Sequence, residues 1–197
     1  KGFLMYSSFL RFIIILFLFS LFFNIIFSTS FLSHTSFSNN TEILTSDSNY
    51  FFWPLPDNYN ITSYFGKRRA PTKGSSTYHS GIDIAARAGT KLYSCISGTV
   101  TFLGFKGAGG YTLTVKSDNI TVSFCYISSS FRVSINDYVT KGMYIANVGP
   151  KNVYGVPNNP YKDSNGVPTN GATTGSHLHL TIKKDGYAVN PLSFFDY

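Results

Sequence analysis

The chain has 197 residues, of which 43% are hydrophobic and 17% aromatic, and its formal charge is +7. This size and composition predict one ordinary domain with a real, β-rich core and a short appendage. The basic residues are dispersed and form no stripe interleaved with aromatics, which argues against nucleic acid as a partner. A mild positive field suits an anionic wall or membrane surface, although a solvated basic surface explains it equally well.

An apolar block at residues 9–31 dominates the N-terminal region, with Lys1 and Arg11 on its N-terminal side. A basic start, an apolar stretch and then small residues form the pattern of a signal peptide, but this block is also nearly long enough to span a bilayer. We therefore expect residues 1–31 to form a hydrophobic helix that is either a signal peptide or a membrane anchor. Both alternatives export the rest of the chain to the cell envelope or the extracellular space, with membrane contact through residues 9–31.

The rest of the chain divides by composition into a linker and a folded domain. Residues 32–50 are rich in Ser, Thr and Asn, which predicts the linker, and residues 51–197 form the domain. In the domain, short β-branched and aromatic runs alternate with turn residues, without an amphipathic helical stretch. The predicted strands are NITSYFG, IDIAA, KLYSCIS, GTVTFLGF, YTLTVKS, NITVSFCYIS, FRVSI, YVTKGMYIANVG and SHLHLTIKKDG. This pattern predicts an all-β fold with an antiparallel β-sheet core.

One long loop interrupts the strands. Residues 149–175 are dense in Pro, Gly and Asn, and they carry Tyr154 and Tyr161. Loops of more than about 12–15 residues are usually functional or disordered, so this one is either the wall of a groove or a tolerated insertion. The two cysteines, Cys95 and Cys125, both sit in β-like runs. Export would permit a disulfide between them, but we favour two buried thiols.

Three histidines of the folded domain lie near Gly-rich turns. His79 precedes Asp83 by four residues, with Gly81 between them to allow a sharp turn of the backbone. His177 and His179 alternate with leucines, so the two-residue period of a strand puts both imidazoles on one face. Asp83 stands between two isoleucines, so it is either exposed or recruited to a cation, because an unpaired buried carboxylate is too costly.

These four side chains, three imidazoles and one carboxylate, match the donors that zinc prefers. A catalytic zinc takes three protein ligands and keeps one position for water, so one of the four candidates is left over. Their spacing does not say which one. H-x-x-x-D and H-x-H are each weak signals, but together in an exported β-domain they point to a zinc site.

Several segments between roughly residues 61 and 195 carry a resemblance to a known family. They are ITSYFGKR, YHSGIDIAARAGTKLYSCISGTV, GGYTLTVKS, VTKGMYIANVG, TTGSHLHLTI and VNPLSFF. Their order and spacing resemble the lysostaphin/LytM-type (β-lytic) zinc peptidases, which cut peptides of bacterial peptidoglycan. The resemblance implies that His79, Asp83 and His179 hold Zn²⁺. It implies that His177 orients or deprotonates the attacking water, or stabilises the charged intermediate. It also implies peptidoglycan as the partner and a groove walled by long loops.

One position departs from the family pattern. The family usually has a further catalytic histidine in a Tyr-x-His step on a central strand, where this chain has Phe124, Cys125 and Tyr126. By strand alternation we expect Tyr126 in the groove and Cys125 pointing away from it. A tyrosine cannot accept a proton at neutral pH as an imidazole can, but it can donate a hydrogen bond to a developing oxyanion. The resemblance therefore implies a catalytic pair of His177 and Tyr126.

Two functions fit this pattern. The first is a zinc endopeptidase that hydrolyses peptide bonds in peptidoglycan cross-bridges or stems. The second is a catalytically weak LytM-like module that binds peptidoglycan, activates a partner hydrolase or scaffolds an envelope or sporulation complex; Tyr126 and the anchor alternative favour it. A purely structural zinc site is disfavoured, because such sites are usually four-coordinate and rich in thiolates.

Overall fold

The computed structural model describes residues 51–70 and 76–196. The predicted N-terminal helix at residues 1–31 and the linker at residues 32–50 lie outside these ranges, so both stay predictions. Among the described residues, no helix is long and apolar enough to cross a membrane.

Strands dominate the described part of the chain. Numbered in chain order they are β1 Ile61–Ser63, β2 Gly66–Lys67, β3 Tyr78–His79, β4 Ile82–Ala85, β5 Lys91–Tyr93, β6 Gly98–Phe105, β7 Tyr111–Ser117, β8 Ile120–Cys125, β9 Tyr138–Val139, β10 Tyr144–Asn147, β11 His177–Lys184 and β12 Tyr187–Val189. Two short 3₁₀ helices, Gly107–Gly109 and Pro191–Phe194, are the helical elements of the described ranges. The predicted all-β class is confirmed.

The main sheet is antiparallel at every pairing. Its order is β1-β4-β11-β8-β7-β6-β9, and β12 pairs with the second half of β11. Two small antiparallel sheets accompany it, one of β5 with β10 and one of β2 with β3. The predicted antiparallel core is therefore confirmed, with β11 at its centre between β4 and β8.

Tight two-residue turns join two of the hairpins of the main sheet. Asp118 and Asn119 connect β7 to β8, while Asp185 and Gly186 connect β11 to β12. Asp118 (φ 48°), Asp185 (φ 53°) and Gly186 (φ 85°) adopt the left-handed conformation that such turns need. Asn119 also donates a hydrogen bond of 2.9 Å to Asp185, which ties the two turns together.

The prediction of a strand at FRVSI, residues 131–135, is wrong. Arg132 donates its amide to a carbonyl of β10 (3.0 Å), but the following residues turn away from that strand. The Asp137 carboxylate accepts a hydrogen bond of 2.8 Å from the Ser134 amide, and Asn136 has a φ of 70°. A turn closed by a side chain and a left-handed residue end the extended run before a ladder can form.

The main sheet has one apolar face and one polar face. In β11, Leu178, Leu180 and Ile182 are fully buried, and the alternate residues point to the other side. The apolar face packs in one cluster with the β5–β10 sheet, whose Leu92 and Ile145 are also fully buried. Burying an apolar side chain of this size stabilises the folded state by about 1.5–3 kcal/mol relative to leaving it exposed. The core therefore lies on one side of the sheet, and the polar face is left to form a site.

Both thiols are free and buried, as favoured from the sequence. Cys95 belongs to the core cluster, and burial raises its pKa well above the ordinary value of a thiol. Cys125 lies elsewhere, at the end of β8. The two thiols therefore do not form the disulfide that export would permit.

Candidate metal centre

A groove of about 970 Å³ crosses the polar face of the main sheet. Its floor is formed by side chains of β4, β8 and β11, and its walls by the segments that flank these strands. The long loop at residues 149–175 contributes Tyr161, Ala172, Thr174 and Gly175 to the lining. The interpretation of this loop as a groove wall is therefore confirmed.

A buried amide holds this wall in place. Asn170 is fully buried; its carboxamide accepts a hydrogen bond of 2.8 Å from the Tyr111 amide and donates one of 3.1 Å to the Ile127 carbonyl. Leaving such buried groups unpaired costs about 1–3 kcal/mol each. The loop is thus tied to β7 and to the segment directly after β8.

Strand pairing sets Asp83, His179 and Cys125 in one row across the floor. His179 of β11 lies directly opposite Asp83 of β4 on one side and Cys125 of β8 on the other. Residues that are directly paired in antiparallel strands point to the same face of the sheet. His177 lies two positions from His179 on the same strand, so both imidazoles face the groove.

His79 reaches this row from the end of β3 and is 3% exposed. Its Nδ1 lies 2.9 Å from the Tyr64 carbonyl oxygen and 3.2 Å from Ser63 Oγ. A carbonyl oxygen can only accept a hydrogen bond, so Nδ1 carries the proton and donates it to Tyr64. The lone pair of His79 is therefore on Nε2, which faces the row.

Gly81 allows β3 and β4 to lie close to β11. A Cβ at this position would collide with the backbone carbonyl of Leu180. Its backbone is not in the left-handed region. The chain bends at Ser80 and Gly81, between β3 and β4, as expected. The glycine is also needed for the close approach of two backbones.

Three of the predicted ligand atoms converge at one point. Asp83 Oδ1 lies 2.8 Å from His179 Nδ1 and 3.3 Å from His79 Nε2, and the two nitrogens are 2.9 Å apart. His79, Asp83 and His179 form a group of the kind that can hold a metal ion. The structure brings the three residues together; their role as ligands stays a prediction.

The imidazole protons of His79 and His179 point away from this point, which leaves space for a cation between the ligand atoms. Thr181 Oγ1 lies 3.0 Å from His179 Nε2 and can accept its proton, which leaves the lone pair of His179 on Nδ1. His79 Nε2, Asp83 Oδ1 and His179 Nδ1 are then three acceptors that face one another. These three acceptor atoms repel one another unless a positive charge lies between them. Two imidazoles and one carboxylate are donors that suit Zn²⁺. The residues present fit a metal ion.

His177, the fourth candidate, lies beside this cluster. Its Nδ1 donates a hydrogen bond of 2.9 Å to the Gly175 carbonyl, so its lone pair is on Nε2. Nε2 lies 3.5 Å from Asp83 Oδ1. A free imidazole nitrogen therefore points at the cluster and can accept a proton from a group bound there.

The charge state of the cluster suits a metal. Burial raises the pKa of Asp83, but the contacts of His177, His179 and His79 with its carboxylate outweigh this effect and hold the pKa well below its ordinary value. Arg68 lies 3.5 Å from the second carboxylate oxygen of Asp83. Burial lowers the pKa of His179, so its imidazole is neutral at physiological pH. A metal needs these forms, a carboxylate and a neutral imidazole.

Tyr126 enters the groove directly after β8 ends. Its φ is 59°, and its ring packs against His177 and His179 with centroid distances of 4.7 and 6.1 Å. Burial raises the pKa of its hydroxyl well above the ordinary value, and the charges of Cys125 and Asp83 add to this effect. The phenol therefore stays protonated and is available as a hydrogen-bond donor.

The prediction that Cys125 points away from the groove is wrong. Cys125 is paired with His179 and lines the groove together with Tyr126. Strand alternation stops at Cys125, because the left-handed backbone of Tyr126 turns the next side chain to the same side. Burial raises the pKa of the Cys125 thiol to about 11, although a hydrogen bond with Thr112 opposes the rise.

The sequence analysis did not identify the groups that contact the side chains of the proposed ligands. Thr181 had a signal, since it lies two residues after His179 on the same face of a strand. Arg68 stands in the basic run KRR, which contains nothing that points to Asp83. The carbonyl of Tyr64 had no signal, because every residue carries one.

Comparisons with known proteins found a matching family model and similar chains. The family model for Peptidase family M23 matches residues 77–161. The DD-carboxypeptidase/endopeptidase Mpg of Neisseria meningitidis is 30% identical over 134 residues, which make up 68% of this chain and 26% of Mpg. The chain thus spans about a quarter of the length of the curated relatives it matches.

Two solved structures share the fold of the described domain. A zinc-containing peptidase from Vibrio cholerae has a TM-score of 0.57 and 22% identity, over 73% of this chain and 39% of that one. A chain of the SpoIIQ–SpoIIIAH pore-forming complex has a TM-score of 0.57 and 22% identity, over 75% of this chain and 91% of that one. At these identities the likeness concerns the fold alone.

Proposed function

Because the chain belongs to peptidase family M23, the lysostaphin/LytM-type peptidases that its motifs resemble, we propose that it is a zinc-dependent endopeptidase of bacterial peptidoglycan. The bond hydrolysed would be a peptide bond in a cross-bridge or a stem. The observation that carries the proposal is the convergence of His79 Nε2, Asp83 Oδ1 and His179 Nδ1 within 3.3 Å of one another.

His79, Asp83 and His179 would hold the zinc ion. When bound, zinc would supply a Lewis acid and lower the pKa of a water molecule to about 7. Two neutral imidazoles and one carboxylate leave a net charge of +1 at the ion, which preserves its Lewis acidity. The Tyr64 carbonyl and the Thr181 hydroxyl orient the two imidazoles, and partners of this kind typically raise metal affinity 10–100-fold.

His177 is the proposed general base. Its hydrogen bond to the Gly175 carbonyl keeps the proton on Nδ1 and the lone pair on Nε2, which faces the cluster. Nε2 would accept a proton from the attacking water and then return it to the amine that leaves. General acid–base catalysis of this kind contributes about 10²–10⁴-fold in rate.

Tyr126 is the proposed hydrogen-bond donor to the oxyanion. Its hydroxyl stays protonated, because burial raises its pKa. It would donate to the oxygen of the scissile carbonyl as negative charge develops there. One donor of this kind is worth about 2.7–4 kcal/mol in kcat.

A second candidate function is a catalytically weak module that binds peptidoglycan or scaffolds an envelope or sporulation complex. The specific observation in its favour is Tyr126, which stands where the family usually has a second catalytic histidine. The fold likeness to a chain of the SpoIIQ–SpoIIIAH complex is compatible with it. In either case we propose that the domain acts in the cell envelope or outside the cell, since residues 9–31 have the pattern of an export segment.

One experiment separates the two candidates. The full chain is purified in a mild detergent, its zinc content is measured, and the release of new amino termini from purified peptidoglycan is followed. The same assay is run on Tyr126→His, and on His179→Gln as the variant that removes a ligand. If the chain is an enzyme, we expect one zinc ion per chain and release of new amino termini by the unaltered chain. Both the zinc and the release should be lost in His179→Gln.

Two outcomes would contradict it. Bound zinc without release by the unaltered chain, together with release by Tyr126→His, favours the module and overturns the enzyme. A chain that binds no zinc at all removes both the ligand assignment and the mechanism.

A further inference from the structure

We propose that the groove selects peptides by charge, so that the substrate is a peptide with free carboxylates around the scissile bond and not an uncharged bridge. This inference rests on the proposed peptidase function and specifies its substrate class. It is carried by the distribution of charged side chains along the groove.

The groove is lined by four basic side chains and one acidic side chain. The basic ones are Arg68, Arg69, Lys106 and Lys183, and the acidic one is Asp83. Together they give the lining a net charge of +3, which a divalent metal ion would raise to +5. Seven of the nine acidic residues of the chain, all aspartates, fall within residues 51–70 and 76–196, and six of these seven lie outside the lining. Outside the lining, the described residues carry nine basic and six acidic side chains, so the excess of basic over acidic residues is proportionally larger in the groove.

The negative charge of Asp83 does not neutralise the exposed basic side chains that a ligand would meet. Its first oxygen faces the imidazoles of the cluster, and its second oxygen lies 3.5 Å from Arg68. The guanidinium of Arg68 also donates a hydrogen bond of 2.6 Å to Ser63 Oγ, so this arginine is held against the floor. Arg69, Lys106 and Lys183 are exposed to the solvent of the groove and remain available to an anionic ligand.

These three cations surround the cluster on different sides. Lys183 lies on the floor, four residues along β11 from His179, which is about 13 Å at the rise of a strand. Arg69 directly follows Arg68, whose guanidinium contacts Ser63 of β1 and Asp83 of β4. Lys106 directly follows β6, which pairs with β7. Lys106 lines the same groove as the ligand cluster. A peptide that crosses the cluster therefore meets a positive charge in several directions.

The rest of the lining offers little to discriminate by size or hydrophobicity. Apart from the three histidines of the site and Tyr78, Tyr126 and Tyr161, its uncharged members are small residues such as Ser, Thr, Ala and Gly. An uncharged peptide such as oligoglycine gains nothing from the cations, whereas a stem peptide with free carboxylates is attracted and oriented by them. Charge is thus the property by which the groove can best discriminate between peptides.

The test compares matched substrates. The full chain, loaded with Zn²⁺, is given a stem-type peptide with free carboxylates, the same peptide with every carboxylate converted to a carboxamide, and oligoglycine. We expect the highest kcat/KM for the carboxylate peptide at low ionic strength. The advantage should shrink between about 0.01 and 1 M salt, because the Debye length falls from about 30 to 3 Å.

Variants then locate the effect. The quantity compared is kcat/KM for the carboxylate peptide divided by kcat/KM for its carboxamide form. We expect this ratio to fall by about two- to five-fold, the range of an exposed ion pair, in each of the variants Arg69→Gln, Lys106→Gln and Lys183→Gln. Lys184→Gln is the matched control, since it removes the same charge from the neighbouring residue of β11, which points to the other face of the sheet.

The outcomes distinguish this inference from the proposed function. Equal cleavage of the two stem peptides at low salt, faster cleavage of oligoglycine, or an equal effect of Lys183→Gln and Lys184→Gln overturns charge selection and leaves the peptidase in place. Cleavage of none of the three substrates overturns the proposed function itself, and with it the inference.

Discussion

The ring of Tyr126 lies against the imidazole of His177, with their centroids 4.7 Å apart. Tyr126 reaches this position because its backbone is left-handed, with a φ of 59°, directly after β8. The contact places a protonated phenol beside an imidazole whose free nitrogen faces the ligand cluster. The two groups have different chemistry, so single substitutions can separate their contributions.

Replacing His177 should remove catalysis and leave the metal in place. In His177→Gln we expect kcat to fall by about 10²–10⁴-fold, because the proton acceptor is lost while all three proposed ligands remain. Zinc content per chain and kcat are measured on the same preparation. His34→Gln, which changes a histidine of the predicted linker, is the control and should match the unaltered chain. Loss of zinc in His177→Gln would show that this residue is a ligand and contradict the assignment.

Removing the hydroxyl of Tyr126 should slow the reaction without disturbing the packing. Tyr126→Phe keeps the ring against His177 and deletes the proposed donor to the oxyanion. We expect kcat to fall by about 10²–10³-fold with little change in KM, because the hydrogen bond forms only as charge develops. Tyr187→Phe removes a hydroxyl from a side chain that is 78% exposed and serves as the control. An unchanged kcat in Tyr126→Phe would assign Tyr126 to filling the groove.

A methyl group at Gly81 should damage both the fold and the site. Its Cβ would meet the backbone carbonyl of Leu180, and such overpacking costs about 1–3 kcal/mol. We expect Gly81→Ala to lower the Tm by several degrees and to weaken zinc binding, since β4 carries Asp83 and β11 carries His179.

Gly175→Ala is the matched control for this prediction. Gly175 has open space around its Cβ position and a backbone that is not left-handed, so the change should be nearly neutral. The Tm of both variants is measured by thermal unfolding with and without added zinc. Equal Tm values for the two variants would contradict the close approach of β4 and β11.

The thiol of Cys125 should be unreactive at neutral pH although it lines the groove. Its pKa is raised to about 11, chiefly by burial, so at any lower pH it has less thiolate than an ordinary cysteine. Alkylation of the native chain by iodoacetamide should therefore be slow at pH 8 and should accelerate about tenfold per pH unit as the pH rises toward 11. Both cysteines should react rapidly in denaturant. Rapid labelling of the native chain at pH 8, located to Cys125 by mass spectrometry, would contradict this prediction.

Strand periodicity predicted much of the site. The alternation in HLHL put His177 and His179 on one face and two leucines on the other, and the structure has both leucines fully buried. The same rule failed one strand away, at Cys125. It assumes that the strand continues, and the left-handed backbone of Tyr126, which depends on contacts outside the strand, breaks that assumption.

The sequence by itself determined the residue types, their local spacing and the all-β class, since these depend on short-range periodicity and turn chemistry. The tertiary structure alone decided which atoms meet. His179 is 96 residues from Asp83 and 100 from His79. The register of β11 against β4 brings His179 to Asp83, and His79 reaches them from the end of β3. It also decided which nitrogen of each imidazole faces the cluster, because the carbonyls of Tyr64 and Gly175 hold the protons on the other nitrogens. Register and hydrogen-bond partners of this kind arise from long-range packing, which no local pattern of residues encodes.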